Sequence, residues 1–179
     1  MVRYLFILNI AIYVIWTTPS NAGSLISKPY PQKSLLCKGH EFKIPDFPLV
    51  TENLDNLYLI YNETTCTPDK IKIVLGFGKD CRGQNMCMVG RFGIMKIDNV
   101  FLNRLERLMK SAHETVIITD PQQGYFSPSE CNTYCTPSQL TWFQDGYAYM
   151  LDSVVDINVQ EKMVKAAREY IERYGEASK

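Results

Sequence analysis

The sequence predicts an α+β protein in which an antiparallel sheet of about six strands carries two helices on one face and is stapled by disulfides. Three observations lead to this prediction. Short runs rich in Ile, Val, Leu and Tyr alternate with turn residues, and two segments have the apolar periodicity of amphipathic helices. In addition, six cysteines follow an apolar N-terminal stretch.

The first 22 residues have the features of a removable export signal. Arg3 supplies a basic start, residues 4–16 are largely apolar, and residues 20–22 (Ser-Asn-Ala) offer a small-residue cleavage site. The apolar run is too short to span ~30 Å of hydrocarbon as a helix. We therefore expect residues 1–22 to be removed, leaving a periplasmic or secreted chain without a membrane span.

The mature chain is expected to be nearly neutral. Loss of Arg3 lowers the count of Lys and Arg from 19 to 18, against 19 Asp and Glu, which gives a net charge of −1. Such a chain lacks the positive field that attracts nucleic acid, so no nucleic acid partner is expected. Its length fits one α+β domain at residues 51–179, preceded by an extended arm at residues 23–50.

Three strands and a helix are predicted in the first half of that domain. Two runs between residues 57 and 77, LYLIY and KIKIVLGF, have the composition of strands. Residues 86–97 predict a third strand, in which two glycines indicate a bulge or a bend. A helix from Asp98 or Asn99 to about Ala112 follows from its apolar stripe, and a further strand is expected at residues 115–119.

A hairpin and a second helix are predicted near the C-terminus. Residues 139–143 and 147–151 are β-prone runs on either side of an Asp-Gly turn. The helix is expected to begin after Asn158, as the N-cap of a capping box with Glu161, and to end before Gly175. The apolar stripe of this helix consists of Met163, Ala167, Tyr170, Ile171 and Tyr174.

The even number of cysteines in an exported chain favours disulfides over thiol chemistry. Local spacing favours two short bridges, because each of these cysteine pairs flanks a short loop, and the two remaining cysteines then pair with each other. The expected disulfides are Cys81–Cys87, Cys131–Cys135 and Cys37–Cys66.

The C-terminal third also resembles a group of uncharacterised exported bacterial proteins. Residues 124–135 read GYF-x-P-x-x-C-x-x-x-C, and residues 142–149 read W-x-x-x-GY-x-Y ahead of the C-terminal helix. The resemblance implies a bacterial periplasmic or secreted protein. It implies no activity and carries over no catalytic residue.

Aromatic side chains and one arginine are the candidate binding residues. Exposed aromatic rings on a sheet stack on sugar rings or grip a peptide, whereas cross-strand packing in the core is the favoured alternative. A loop closed by a disulfide presents its tip in a fixed shape, although it is also the form of an ordinary stapled hairpin. The candidates are Arg82, Tyr125, Trp142, Tyr147 and Tyr149.

No catalytic residue, metal site or cofactor is expected. The chain has only two histidines, His40 and His113, and it has neither a G-x-S-x-G nor a C-x-x-C motif. We therefore expect an exported, non-catalytic module that binds a protein or an envelope component. The alternative is a secreted hydrolase acting on peptide or sugar substrates, and the oligomeric state stays open.

Overall fold

The computed structural model describes residues 25–47, 56–81, 87–98, 114–131, 135–154 and 158–175, which form twelve strands and one helix. The predicted export signal, the predicted helix over residues 99–112 and Arg82 lie outside these residues. The strands are β1 (Leu25–Pro29), β2 (Ser34–Cys37), β3 (His40–Lys43), β4 (Leu57–Asn62), β5 (Lys70–Phe77), β6 (Met88–Lys96), β7 (Glu114–Ile117), β8 (Gln123–Ser127), β9 (Glu130–Cys131), β10 (Cys135–Thr136), β11 (Ser138–Gln144) and β12 (Tyr147–Ser153), and the helix is α1 (Val159–Tyr174).

Eight of the strands form one antiparallel sheet in the order β1-β4-β5-β6-β12-β11-β8-β7. The meander β4-β5-β6 is joined to the hairpin β11-β12 by pairing of β6 with β12, in which Ile94 lies opposite Tyr149. Two small ribbons, β2-β3 and β9-β10, lie outside this sheet. Central strands thus come from distant parts of the sequence.

The predicted α+β class, with about six strands and two helices on one face, is wrong. The described residues are mostly β, with an eight-stranded sheet and one C-terminal helix. The four strands of the two ribbons and two strands of the sheet were not expected from the sequence. β1 comes from the segment predicted to be an extended arm, and β8 contains the Gly-Tyr-Phe stretch. β1 pairs with the remote strand β4, which local periodicity does not report, whereas β8 pairs with its sequence neighbours β7 and β11.

One face of the sheet packs against α1 and the β2-β3 ribbon to form the main core. Met163, Ala166 and Ala167 of α1 are buried in the same cluster as Leu35 and Phe42 of the ribbon. Because side chains alternate along a strand, every second residue of β6 and β12 faces α1 and the others face away. The segment expected to be an arm therefore contributes both a sheet edge and part of the core.

Polar contacts hold α1 to its surroundings. Arg168 Nε donates a hydrogen bond of 2.7 Å to the carbonyl of Ile118, just after β7. At the C-terminal end of the helix, Arg173 Nη1 lies 3.5 Å from Oδ2 of Asp46, which follows β3. Among the described residues, no helix is both long and apolar enough to cross a bilayer.

Turn geometry explains why the hairpin was predictable and the helix cap was only partly so. Asp145 and Gly146 have φ of 51° and 79°, and a two-residue turn with positive φ at both positions matches the twist of paired strands. Asn158 occupies the predicted N-cap position. It adopts a left-handed conformation, however, with no side-chain cap hydrogen bond, so the predicted capping box is wrong.

All six cysteines are paired, and the pairs are those that the spacing predicts. The Cys37–Cys66 bridge ties the end of β2 to the turn between β4 and β5 and is buried. The two short bridges close the loop before β6 and the β9-β10 ribbon. They are Cys81–Cys87 and Cys131–Cys135.

Candidate binding cleft

Trp142 belongs to the core. Its side chain is 0 % exposed, its ring stacks on that of Tyr149, and Tyr170 of α1 contacts it edge-on at a centroid distance of 6.2 Å. Core packing, the alternative that the sequence favours for the aromatic candidates, holds for Trp142. Trp142 is therefore out of reach of a ligand.

Tyr125 lies on the other face of the sheet. Register places it opposite Thr141, and its ring packs against Phe143 with centroids 5.8 Å apart. Its neighbours Gly124 and Phe126 pair with Trp142 and Leu140, so they face α1 instead. The candidate aromatic residues are thus divided between two faces and do not form one platform.

Tyr147 and Tyr149 meet Tyr170 and Tyr174 in a cleft of about 280 Å³ on the α1 side of the sheet. We call this the tyrosine cleft. Strand alternation places the first two side chains on one face of β12, and a spacing of four residues places the other two on one side of α1. The remaining wall comes from β3 and from Pro68.

From the sequence, Tyr170 and Tyr174 are expected only as members of the buried stripe of the helix. In the structure Tyr170 is 7 % exposed and Tyr174 is partly exposed, so the stripe ends at the surface beside the hairpin. The feature of the sequence that could have indicated this cleft is the pair of tyrosines four residues apart at the end of an amphipathic helix. Their meeting with the hairpin depends on how α1 lies across the sheet.

The rings of the cleft hold one another in place. The ring centroid of Tyr170 lies 5.7 Å from that of Tyr149 and 5.2 Å from that of Tyr174. Both pairs have the inclined or edge-on arrangement that aromatic rings prefer. Lys43 Nζ lies 6.0 Å above the Tyr174 ring, and the guanidinium of Arg173 lies 5.9 Å from the same ring. The aromatic surface is consequently pre-organised.

The hydroxyls of Tyr149 and Tyr170 stay protonated at neutral pH. Burial raises the pKa of Tyr170, and the neighbouring Tyr149 and Tyr174 raise it further. Burial also raises the pKa of Tyr149, with a further contribution from the charge of Asp145. These hydroxyls are therefore neutral groups that both donate and accept hydrogen bonds.

Charged residues of both signs stand at the rim of the cleft. Lys43 Nζ lies 2.7 Å from Glu41 Oε2, and hydrogen bonds from Lys43 and Ser34 lower the pKa of the exposed Glu41 carboxyl. Glu41 is thus held ionised, which is the opposite of what a general acid at neutral pH requires. Gln144 and Asp145, at the hairpin turn, complete the polar rim.

The described residues contain no group of three or more His, Cys, Asp and Glu side chains placed to hold a metal ion. Comparisons with known proteins add no relative, since no family model, curated protein or solved structure matches the chain. The function must therefore be argued from the geometry.

Proposed function

We propose that this protein is an exported module that binds an extended segment of a partner protein, or another envelope component, in the tyrosine cleft. The observation that carries the proposal is the convergence of four tyrosines, from β12 and α1, on one pre-organised concave surface. Tyrosine is enriched in protein interfaces because it combines a large apolar ring with a hydroxyl.

The size and chemistry of the cleft favour a short segment as its occupant. A volume of about 280 Å³ is at or below the lower end of the range typical for small-molecule pockets. Aromatic-lined grooves of this kind receive extended or proline-rich peptides, whose low conformational entropy reduces the cost of binding. Gln144 and the ionised Glu41 supply partners for the polar backbone of such a segment.

The cysteines support the exported location. Three disulfides are compatible with an exported protein, since such bonds persist in oxidising compartments and are rare in reducing ones. Together with the N-terminal signal-like segment, they favour the periplasm or the extracellular space.

The alternative, a secreted hydrolase, has less support. A glycosidase needs one carboxyl group kept protonated as a general acid. The hydrogen bond from Lys43 lowers the pKa of Glu41 in the cleft, which is the wrong direction for a general acid. We therefore keep the binding function as the conclusion.

The proposal is tested with a photo-reactive phenylalanine analogue placed at Tyr147 in the exported protein. The matched control carries the same analogue at Tyr125, which is also partly exposed but lies on the other face. We expect a cross-linked partner from position 147 that excess unlabelled protein displaces and that excess Tyr174→Ala protein does not. The same adducts from both positions, or equal displacement by both competitors, would contradict the proposal.

The identified partner then allows the affinity to be measured by calorimetry. Tyr174→Ala is expected to weaken binding at least tenfold, about 1.4 kcal/mol, as for a tyrosine anchor in an interface. Tyr125→Ala should leave the affinity unchanged. A wild-type affinity in the Tyr174→Ala variant would rule out the cleft as the binding site.

A further inference from the structure

A second cavity, of about 310 Å³, lies on the face of the sheet that points away from α1. Gly93 of β6 is at its centre, between Lys72 of β5 and Met150 of β12, which are its register partners. Because Gly93 has no side chain, the sheet surface is recessed between these two neighbours. We call this recess the Gly93 cavity.

A partly buried ion pair forms one wall of the Gly93 cavity. Arg91 Nε donates a hydrogen bond of 2.6 Å to Asp152 Oδ2, and Gln139 Nε2 donates one of 2.8 Å to Asp152 Oδ1. The Asp152 side chain is 7 % exposed, whereas that of Arg91 is 30 % exposed. The guanidinium is thus held in a fixed orientation and keeps further N–H groups for another acceptor.

The charge of the cavity lining is positive. Lys70 and Lys72 are exposed on the same face of β5, and with Arg91 they make three cations against the one carboxylate of Asp152. The tyrosine cleft differs, since its lining contains two carboxylates and one lysine. An anion is therefore the ligand that the charge of the Gly93 cavity complements.

The apolar part of the lining comes from Met95 and Met150, both partly buried beside Gly93. Methionine side chains are flexible and polarisable, so they adapt to apolar groups of different shapes. A cavity with cations on two sides and thioethers beside a glycine accommodates a molecule that is charged at one end and apolar in its body.

We infer that the Gly93 cavity binds a small organic anion, a carboxylate or sulfonate with an apolar body. Its charged group lies between Lys72 and Arg91, and its apolar body lies against Met95 and Met150. The site is on the opposite side of the sheet from the tyrosine cleft, and the inference does not rest on the function proposed for that cleft.

The test uses two fluorescent probes that differ chiefly in charge. These are 8-anilinonaphthalene-1-sulfonate and its uncharged counterpart N-phenyl-1-naphthylamine, titrated into the full mature protein. The sulfonate is expected to bind at least tenfold more tightly than the neutral probe, and added salt should reduce this difference. Equal binding of the two probes would overturn the proposal.

Variants locate the bound probe. Gly93→Val is expected to abolish binding by filling the recess, because a Cβ there meets only Met150 Cε at 3.4 Å and the Ile71 carbonyl at 3.7 Å. Lys72→Glu, an exposed substitution, should weaken sulfonate binding at least tenfold. Lys165→Glu, an exposed substitution on α1, is the matched charge control and should leave binding unchanged.

Retained binding in folded Gly93→Val, or equal losses in Lys72→Glu and Lys165→Glu, would overturn the proposal. Lys72→Glu keeps the test decisive if Gly93→Val does not fold.

Competition with unlabelled carboxylates then identifies the apolar body of the ligand. Displacement of the probe by octanoate assigns an aliphatic body and displacement by 1-naphthoate an aromatic one, whereas displacement by neither counts against the site.

Discussion

Tyr149 stacks on Trp142 across the β11-β12 hairpin, with ring centroids 5.3 Å apart and ring planes inclined by 11°. The two residues are register partners. Trp142 is fully buried in the core, whereas Tyr149 is partly buried and lines the tyrosine cleft. The floor of the cleft is therefore built directly on the core, and a ligand there would contact side chains whose positions the core determines.

Replacing Trp142 with alanine should lower the free energy of unfolding by about 3 to 5 kcal/mol, because it leaves a large cavity beneath α1. Trp142→Phe is the matched control and should lose less. It keeps an aromatic ring and removes an indole N–H that is buried without a hydrogen-bond partner among the described residues. Urea unfolding followed by circular dichroism measures both. Equal losses of unfolding free energy in the two variants would show that an aromatic ring at position 142 does not provide the packing beneath α1.

Alkaline pH should destabilise the protein through the buried tyrosines. Tyr170 and Tyr149 have pKa values raised above the usual 10.0 by burial, so the folded state holds their protons more tightly than the unfolded state does. Their contribution is complete below about pH 10 and declines as the pH rises further, by up to about 1.4 kcal/mol per pH unit for each tyrosine.

Thermal melting between neutral pH and pH values above about 10 measures this dependence. Tyr170→Phe should show a shallower alkaline decline in the melting midpoint, since it lacks one of the tyrosines whose pKa is raised. An identical decline in the variant and the wild type would exclude Tyr170 as a cause.

Removing the Cys37–Cys66 bridge should destabilise the fold more than removing Cys131–Cys135. Their sequence separations are 29 and 4 residues, and the loop-entropy model gives about 3.6 and about 2 kcal/mol for the corresponding rings. The long bridge is also buried, whereas Cys131 and Cys135 are exposed. Denaturant unfolding of the two double alanine variants tests the order, and a reversed order would contradict it.

Two glycines of β6 should respond differently to alanine. A Cβ at Gly90 would lie 2.7 Å from the Asp152 carbonyl oxygen and 3.1 Å from the Phe47 ring, so Gly90→Ala should lower stability by about 1 to 3 kcal/mol. At Gly93 the nearest atoms are at ordinary contact distance, and Gly93→Ala should change stability by no more than about 0.5 kcal/mol. Melting midpoints decide this, and a larger loss at Gly93 would be inconsistent with the geometry.

We expect the protein to be exported and its mature N-terminus to lie at or within a few residues of Gly23. The apolar run at residues 4–16 is too short to anchor the chain in a membrane and is followed by small residues that suit a signal peptidase. Intact-mass spectrometry of exported material checks the N-terminus. Finding Met1 retained there would refute signal removal.

Local features of the chain were readable from the sequence because they depend on neighbouring residues. The Asp145-Gly146 turn requires positive φ at both positions, which Asp and Gly tolerate, and its flanking runs became β11 and β12. The C-terminal helix begins at the predicted residue, since its apolar periodicity extends over a long segment. Close spacing likewise indicated the two short disulfides.

Only the tertiary structure decided the strand number, the sheet order and both cavities. β1 pairs with β4 in a register that places Leu25 opposite Asn62, and no local pattern encodes a partner so far along the chain. The Gly93 cavity exists because Lys72, Gly93 and Met150, on three separate strands, lie in one row. The tyrosine cleft exists because α1 ends beside the hairpin turn. Periodicity determines which face of an element is apolar, whereas the register and orientation of remote elements follow from how those faces pack together.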